Sequence, residues 1–189
     1  MSGSITVGGK VLASHDNVSG KLSMSENVDM SNMVFPAGHV ISHSIPFFDN
    51  GVASSIETSS TSYQETGIEV SLTTKLSSSD SRIVVQFYTG FARMIGNISA
   101  ITIWTVGRST ASSTTYASAT DLTDDQSSYF YPGATNTYWS QHSTWIDTGS
   151  YLADTTYYYQ IYLRSYVSYT TQLARQGATV SLLAYEVKI

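Results

Sequence analysis

The sequence predicts an all-β protein: an antiparallel, jelly-roll-like β-sandwich preceded by a short extended N-terminal β segment. Three observations carry that expectation. Apolar residues recur at every second position through several runs, which is the period of a strand with one buried face. Stretches rich in Ser, Thr, Gly, Asn and Asp, the residues that favour turns, separate those runs. No window of helical length carries an apolar stripe at a period of 3.6 residues.

Composition agrees and narrows the function classes. Roughly three residues in ten are Ser or Thr and 14 are Tyr, whereas 12% are charged. Soluble domains average about a quarter charged residues, so hydroxyl groups are expected to hydrate this surface. The net charge of −5 and the scattered Lys and Arg exclude the clustered basic footprint that nucleic acid requires. No apolar stretch approaches the roughly 20 residues of a membrane-spanning helix. Met1-Ser2-Gly3-Ser4 has no basic region followed by an apolar core, so a secretory signal is not expected. Without cysteine there is neither a disulfide framework nor thiol chemistry, and synthesis in a reducing cytoplasm is compatible with work outside a cell.

Residues 1–35 form the expected N-terminal segment. Ile5-Thr6-Val7, Gly8-Gly9 and Lys10-Val11-Leu12 read as a tight hairpin, with glycines supplying the positive φ of a two-residue turn. From Val18 to Val34 the apolar residues Val18, Leu22, Met24, Val28, Met30 and Val34 all fall on even positions. Two hexads, Lys21 to Glu26 and Asn27 to Asn32, repeat weakly within this run. A ribbon this thin buries its apolar face either against other chains or against its own domain.

Pro36-Ala37-Gly38 breaks the pattern and marks the boundary of a second region, 36–189. Strands are expected at 39–48, 67–76, 82–93, 100–107, 157–169 and 178–189, with weaker candidates at 114–119 and 142–147. In the third of these, Ile83, Val85, Phe87 and Phe91 build a core face. Tyr157, Tyr159, Ile161 and Leu163 do so in the fifth, and Val180, Leu182 and Ala184 in the last. The opposite faces are also partly apolar, and strands apolar on both faces are covered on both. Tyr158, Tyr162, Tyr166, Leu183, Tyr185 and Val187 are therefore the candidate oligomer-interface residues.

Signals for catalysis are sparse. His39 and His43 have metal spacing only on a helix, and no third ligand is evident nearby. Asp121-Leu122-Thr123-Asp124-Asp125 lacks the glycine and final glutamate of a dedicated calcium loop. No Gly-x-Ser-x-Gly elbow is present, and no residue pattern points to paired acids for glycoside hydrolysis. Neither an enzyme nor a cofactor or metal is expected. The aromatics between the middle and last strands, among them Tyr129, Phe130, Tyr131 and Tyr151, either fill the core or form a contact surface. Tyr138, Trp139, His142 and Trp145 are the candidate ligand-binding residues, suited to stacking on sugar rings.

The order of these motifs resembles fibre-like and decoration-like virion structural proteins of tailed bacteriophages, particularly marine ones. Pro36-Ala37-Gly38-His39-Val40-Ile41 is followed by Ser59-Ser60-Thr61-Ser62-Tyr63, by Thr66 to Leu72 and by Ser77 to Val85. The leader from Gly9 to Val34 and the ending, Tyr158 to Arg164 and Gly177 to Val187, are similar too. Thr73-Thr74-Lys75-Leu76 and the stretch from Ser109 to Thr156 depart from the pattern. The resemblance implies a virion component whose partners are sister chains in a homotrimer and other virion proteins bound through residues 1–35. The alternative expectation is a receptor- or carbohydrate-binding module that engages a host surface glycan.

Overall fold

The computed structural model describes residues 3–7, 10–15, 22–24, 37–49, 55–95, 101–123, 128–130, 139–167, 169–174 and 177–189. The chain divides into two compact units, Met1–Phe35 and Pro36–Ile189.

In the first unit, β1 (Gly3–Val7), β2 (Lys10–His15) and β3 (Leu22–Met24) make a three-stranded antiparallel sheet in that order. Val7 pairs with Lys10, as the hairpin reading requires, and Ala13 pairs with Met24. Gly8-Gly9, most of the even-numbered apolar run and most of the two hexads lie outside the described residues.

The second unit is a sandwich of two antiparallel sheets. Its strands are β4 (Val40–His43), β5 (Phe47–Asp49), β6 (Ile56–Thr58), β7 (Gln64–Thr73), β8 (Ser81–Met94) and β9 (Thr102–Ser109). They continue with β10 (Thr120–Asp121), β11 (Ser128–Phe130), β12 (Trp139–Asp147), β13 (Thr156–Ser165), β14 (Thr171–Ala174) and β15 (Val180–Lys188). One sheet runs β10-β9-β13-β7, with β11 also on β9; the other runs β4-β15-β8-β14-β6, with β12 on β8 and β5 on β15. Gly38, at φ +82°, turns the chain into β4 and donates its N–H to the Lys188 carbonyl at 2.7 Å. A left-handed residue is needed there, and glycine adopts that conformation without steric cost.

The core lies between the sheets and follows the alternation in the sequence. Ile68, Val70 and Leu72 of β7 meet Ile83, Val85 and Phe87 of β8, with Tyr159, Ile161, Leu163, Val180, Leu182 and Ala184 closing the layer. Each such side chain contributes about 1.5–3 kcal/mol on full burial.

Three expectations about strands are corrected. Residues 39–48 form two short strands, because Ser44-Ile45-Pro46 interrupts the ladder and proline cannot donate to it. Residues 114–119 hold a 3-10 turn, Tyr116–Ser118, in place of a strand. The weak candidate at 142–147 is a nine-residue strand, because Trp145 and Asp147 are drawn into the sandwich.

Candidate functional site

Strand alternation decides which of the candidate residues can act together. Tyr138 lies outside the described residues. On β12, Trp139, Ser143, Trp145 and Asp147 fall on one face, and His142, Thr144 and Ile146 on the other. Trp145 is buried in the core, and Ser143 accepts a hydrogen bond from Trp104 Nε1 at 3.2 Å. Trp139, 49% exposed, pairs with Ala92, whereas His142 points outward beside Tyr88. A three-residue separation in a strand reverses the side, so Trp139, His142 and Trp145 do not form one sugar-binding surface. Tyr151 is also a core residue.

The candidate interface residues divide between the two sheets. Tyr158 and Tyr162 belong to the outer side of the five-stranded sheet, and Tyr166 follows the end of β13; Leu183, Tyr185 and Val187 belong to the outer side of the seven-stranded one. Tyr162 is 1% exposed, and residues of its own chain cover it. Its Oη donates to the Thr114 carbonyl at 2.6 Å, and the Tyr116 ring meets it edge-on at 5.4 Å. Tyr162 is thereby removed from any seam with another subunit. Tyr158 is half-buried and Tyr166 is 58% exposed.

Residues 110–119 make this cover, and the chain then joins the sheet edge as β10. Ser113 N–H donates to Glu69 Oε2 at 2.8 Å, and Leu122 N–H to the Val106 carbonyl at 3.1 Å. Tyr116 also stacks on Tyr63 at 4.3 Å, with the Arg164 guanidinium 5.1 Å from the Tyr63 ring. Asp121 pins the segment to β9. Its Oδ1 accepts from Thr105 Oγ1 (2.8 Å), Thr123 N (3.0 Å) and Thr123 Oγ1 (2.8 Å), and its Oδ2 from Tyr116 Oη (2.8 Å). Burial alone would raise the Asp121 carboxyl, but these four donors outweigh it and hold the group below its ordinary value. They also occupy the oxygens that a calcium loop would need; Asp124 and Asp125 lie outside the described residues. Burial, with Glu65 and Glu69 nearby, pushes the Tyr162 hydroxyl up to about 12. The cover requires Gly107, where a Cβ would come within 2.8 Å of Tyr162 Cε2 and 2.9 Å of Ala119 Cβ.

Two fully buried carboxylates tie the sheets together from within. Asp147 Oδ2 accepts from Arg108 Nη1 at 2.7 Å and Tyr159 Oη at 3.0 Å, and Oδ1 accepts from Gly149 N at 3.0 Å. Arg108 Nη2 donates to the Ser150 carbonyl at 3.0 Å, and its guanidinium lies over Tyr157 at 5.2 Å. Burial and the adjacent Asp147 raise Tyr159 well above the usual phenol range, so it stays a neutral donor. Glu186 accepts from Lys75 N (2.7 Å), Leu76 N (2.9 Å) and Ser81 Oγ (2.7 Å). Tyr151 links the clusters through Ser81, 3.2 Å from its Oη. Both acids are engaged by structural donors. Each lies two residues beyond an inward-facing residue, Asp147 after Trp145 and Glu186 after Ala184, so the alternation itself marks them as buried and paired.

His39 and His43 are exposed, and His43 Nδ1 lies 3.0 Å from the Ser44 carbonyl. Among the described residues no three His, Cys, Asp or Glu side chains come together as a metal site, and no helix is long and apolar enough to cross a membrane.

The outer side of the seven-stranded sheet is different in kind. Cross-strand pairing sets His43, Tyr185, Val84 and Ile146 in one row over four strands. Beside it lie Val40, Val187 and Arg82 in one row, Leu183, Gln86 and Thr144 in another, and Ser181, Tyr88 and His142 in a third. Ile146 is 56% exposed, and Val40 and Tyr88 are exposed as well. The described residues thus form a β-sandwich with one partly apolar sheet face that no described segment covers, and no assembled catalytic constellation among them.

No family model and no curated protein matches the chain. Among solved structures it is similar to the arabinose-bound MgGH51 α-L-arabinofuranosidase, at 14% identity and a TM-score of 0.30, over 84% of this chain and 25% of that one. The chain spans a quarter of that protein's length, and a likeness this faint carries no argument about activity.

Proposed function

We propose that the chain is a structural subunit of a tailed-bacteriophage virion, a fibre or decoration protein that assembles as a trimer. Residues 1–35 attach it to the particle, and the sandwich of residues 36–189 faces outward. The observation that carries this reading is the partly apolar outer face of the seven-stranded sheet, which no described segment covers and which an assembled protein covers with its neighbours. The division at Phe35/Pro36 supports separate roles for the two units. The buried Asp147 and Glu186 clusters support a durable, non-catalytic body, joining the sheets in a chain that has no cysteine.

The reading is tested on intact particles. Antibodies raised against residues 36–189 are expected to label tailed particles from the source culture, and deletion of residues 1–35 to abolish labelling while preserving a cooperative melt. Recovery of the full-length chain only from the particle-free fraction would overturn it.

A further inference from the structure

We infer that the seam between subunits is the outer face of β4, β15, β8 and β12, packed against the same face of further copies of this chain. This deepens the reading of an assembled subunit by naming its contact surface, and it rests on that reading without requiring a virion. The two outer faces of the sandwich are not equivalent candidates. On the five-stranded sheet, residues 110–119 already occupy the surface, and Thr105, Gln160 and Tyr162 are buried. On the seven-stranded sheet, Val84, Tyr185, Leu183 and Val187 are only half-buried, and Tyr88 and Ile146 are exposed.

Charge favours a like partner. The described outward positions of these four strands hold no carboxylate, so apposing two copies buries no pair of acids. The basic side chains at these described positions are Arg82, His43 and His142. Arg82 is already bonded through Nη1 to the Ser78 and Ser81 carbonyls. The opposite sheet carries Glu65 and Glu69, so stacking copies on that side would bring acids together. Area is sufficient as well. Strands of 4, 9, 14 and 9 residues, at about 3.4 Å per residue and about 4.8 Å apart, cover roughly 600 Å². Two such faces remove about 1,200 Å², the size at which specific interfaces begin.

The test is sedimentation of the full-length chain at about 10 μM, since association depends on concentration. The wild type is expected to sediment as an oligomer. Ile146→Asp and Tyr88→Asp, each at an exposed position, are expected to weaken association by at least roughly ten-fold while leaving the thermal melt cooperative. Tyr166→Asp, at an exposed position just past the end of β13, is expected to leave the oligomer intact. A two-copy mass sensitive to Ile146→Asp supports this seam and removes the three-fold arrangement. A monomeric wild type, an oligomer that survives both face variants, or one that Tyr166→Asp dissociates equally would overturn the inference. So would an oligomer lost on deletion of residues 1–35 but retained in the face variants. A chain that associates through this face yet is absent from particles keeps the inference and sinks the virion reading.

Discussion

The two outer faces of the sandwich come from strands with the same alternating pattern, yet among the described residues one is finished by its own chain and the other is not. Over β9 and β13 the segment before β10 lays down Thr114 and Tyr116, and β10 itself adds an Asp121 carboxylate held by four donors, so that this face is covered locally by its own chain. Over β8 and β15 no described segment does this, and Val84, Tyr185 and Ile146 stand in an open row. The difference teaches that apolar residues on both sides of a strand announce a cover without saying whose it is. A tyrosine on the finished face should act on folding, whereas one on the open face should act on association.

The sharpest way to break that contrast is to truncate one tyrosine on each face. Tyr162→Ala is expected to cost about 3–5 kcal/mol, since it empties a fully buried site and strands the Thr114 carbonyl. Tyr88→Ala, measured in the Ile146→Asp background so that association does not contribute, is expected to change stability by about 0.5 kcal/mol or less. Urea unfolding followed by circular dichroism reads both. Equal costs would mean that the open face is also closed within one chain.

Next in size is Gly107→Ala. The added methyl meets the Tyr162 ring and Ala119, so the cover must rise, at an expected cost of about 1–3 kcal/mol. Faster amide hydrogen exchange confined to residues 110–123 and the paired stretch of β9 would locate the damage. A variant as stable as the wild type would show that the segment rests more loosely than the 2.8 Å approach implies.

What the sequence made legible was periodic. The inward sets Ile83, Val85, Phe87 and Val180, Leu182, Ala184 follow directly from period two, as does the outward set Leu183, Tyr185, Val187. The ligand cluster failed for the same physical reason applied too late. Trp139, His142 and Trp145 are close in sequence, but once they lie on a strand they alternate sides. Tyr162 was placed on the correct side of β13, and what covers it could not be read because the contact with Tyr116 spans 46 residues with no local signal. Arg108, Asp147 and Glu186 were readable in principle: each interrupts an inward apolar series, where a charge must find a partner.

The smallest expected effect is a pH dependence that belongs to the finished face. An unfolded aspartate titrates near 3.9, and four hydrogen bonds hold folded Asp121 below that. The folded chain therefore binds fewer protons than the unfolded one just below pH 4. Asp121 contributes stability that is present above about pH 4 and is lost as pH falls through its lower folded value. Asp121→Asn is expected to cost about 1 kcal/mol at neutral pH and to flatten the acid limb of the stability curve. Asp80 supplies the control: hydroxyl donors Ser79 and Ser77 hold it low too, but it sits in an exposed turn beside β8, away from the cover. If Asp80→Asn and Asp121→Asn flatten the acid limb alike, the cover has no special hold on its carboxylate. If only Asp121→Asn also speeds exchange in residues 110–123, that carboxylate is what fastens the Tyr116 segment to the sheet.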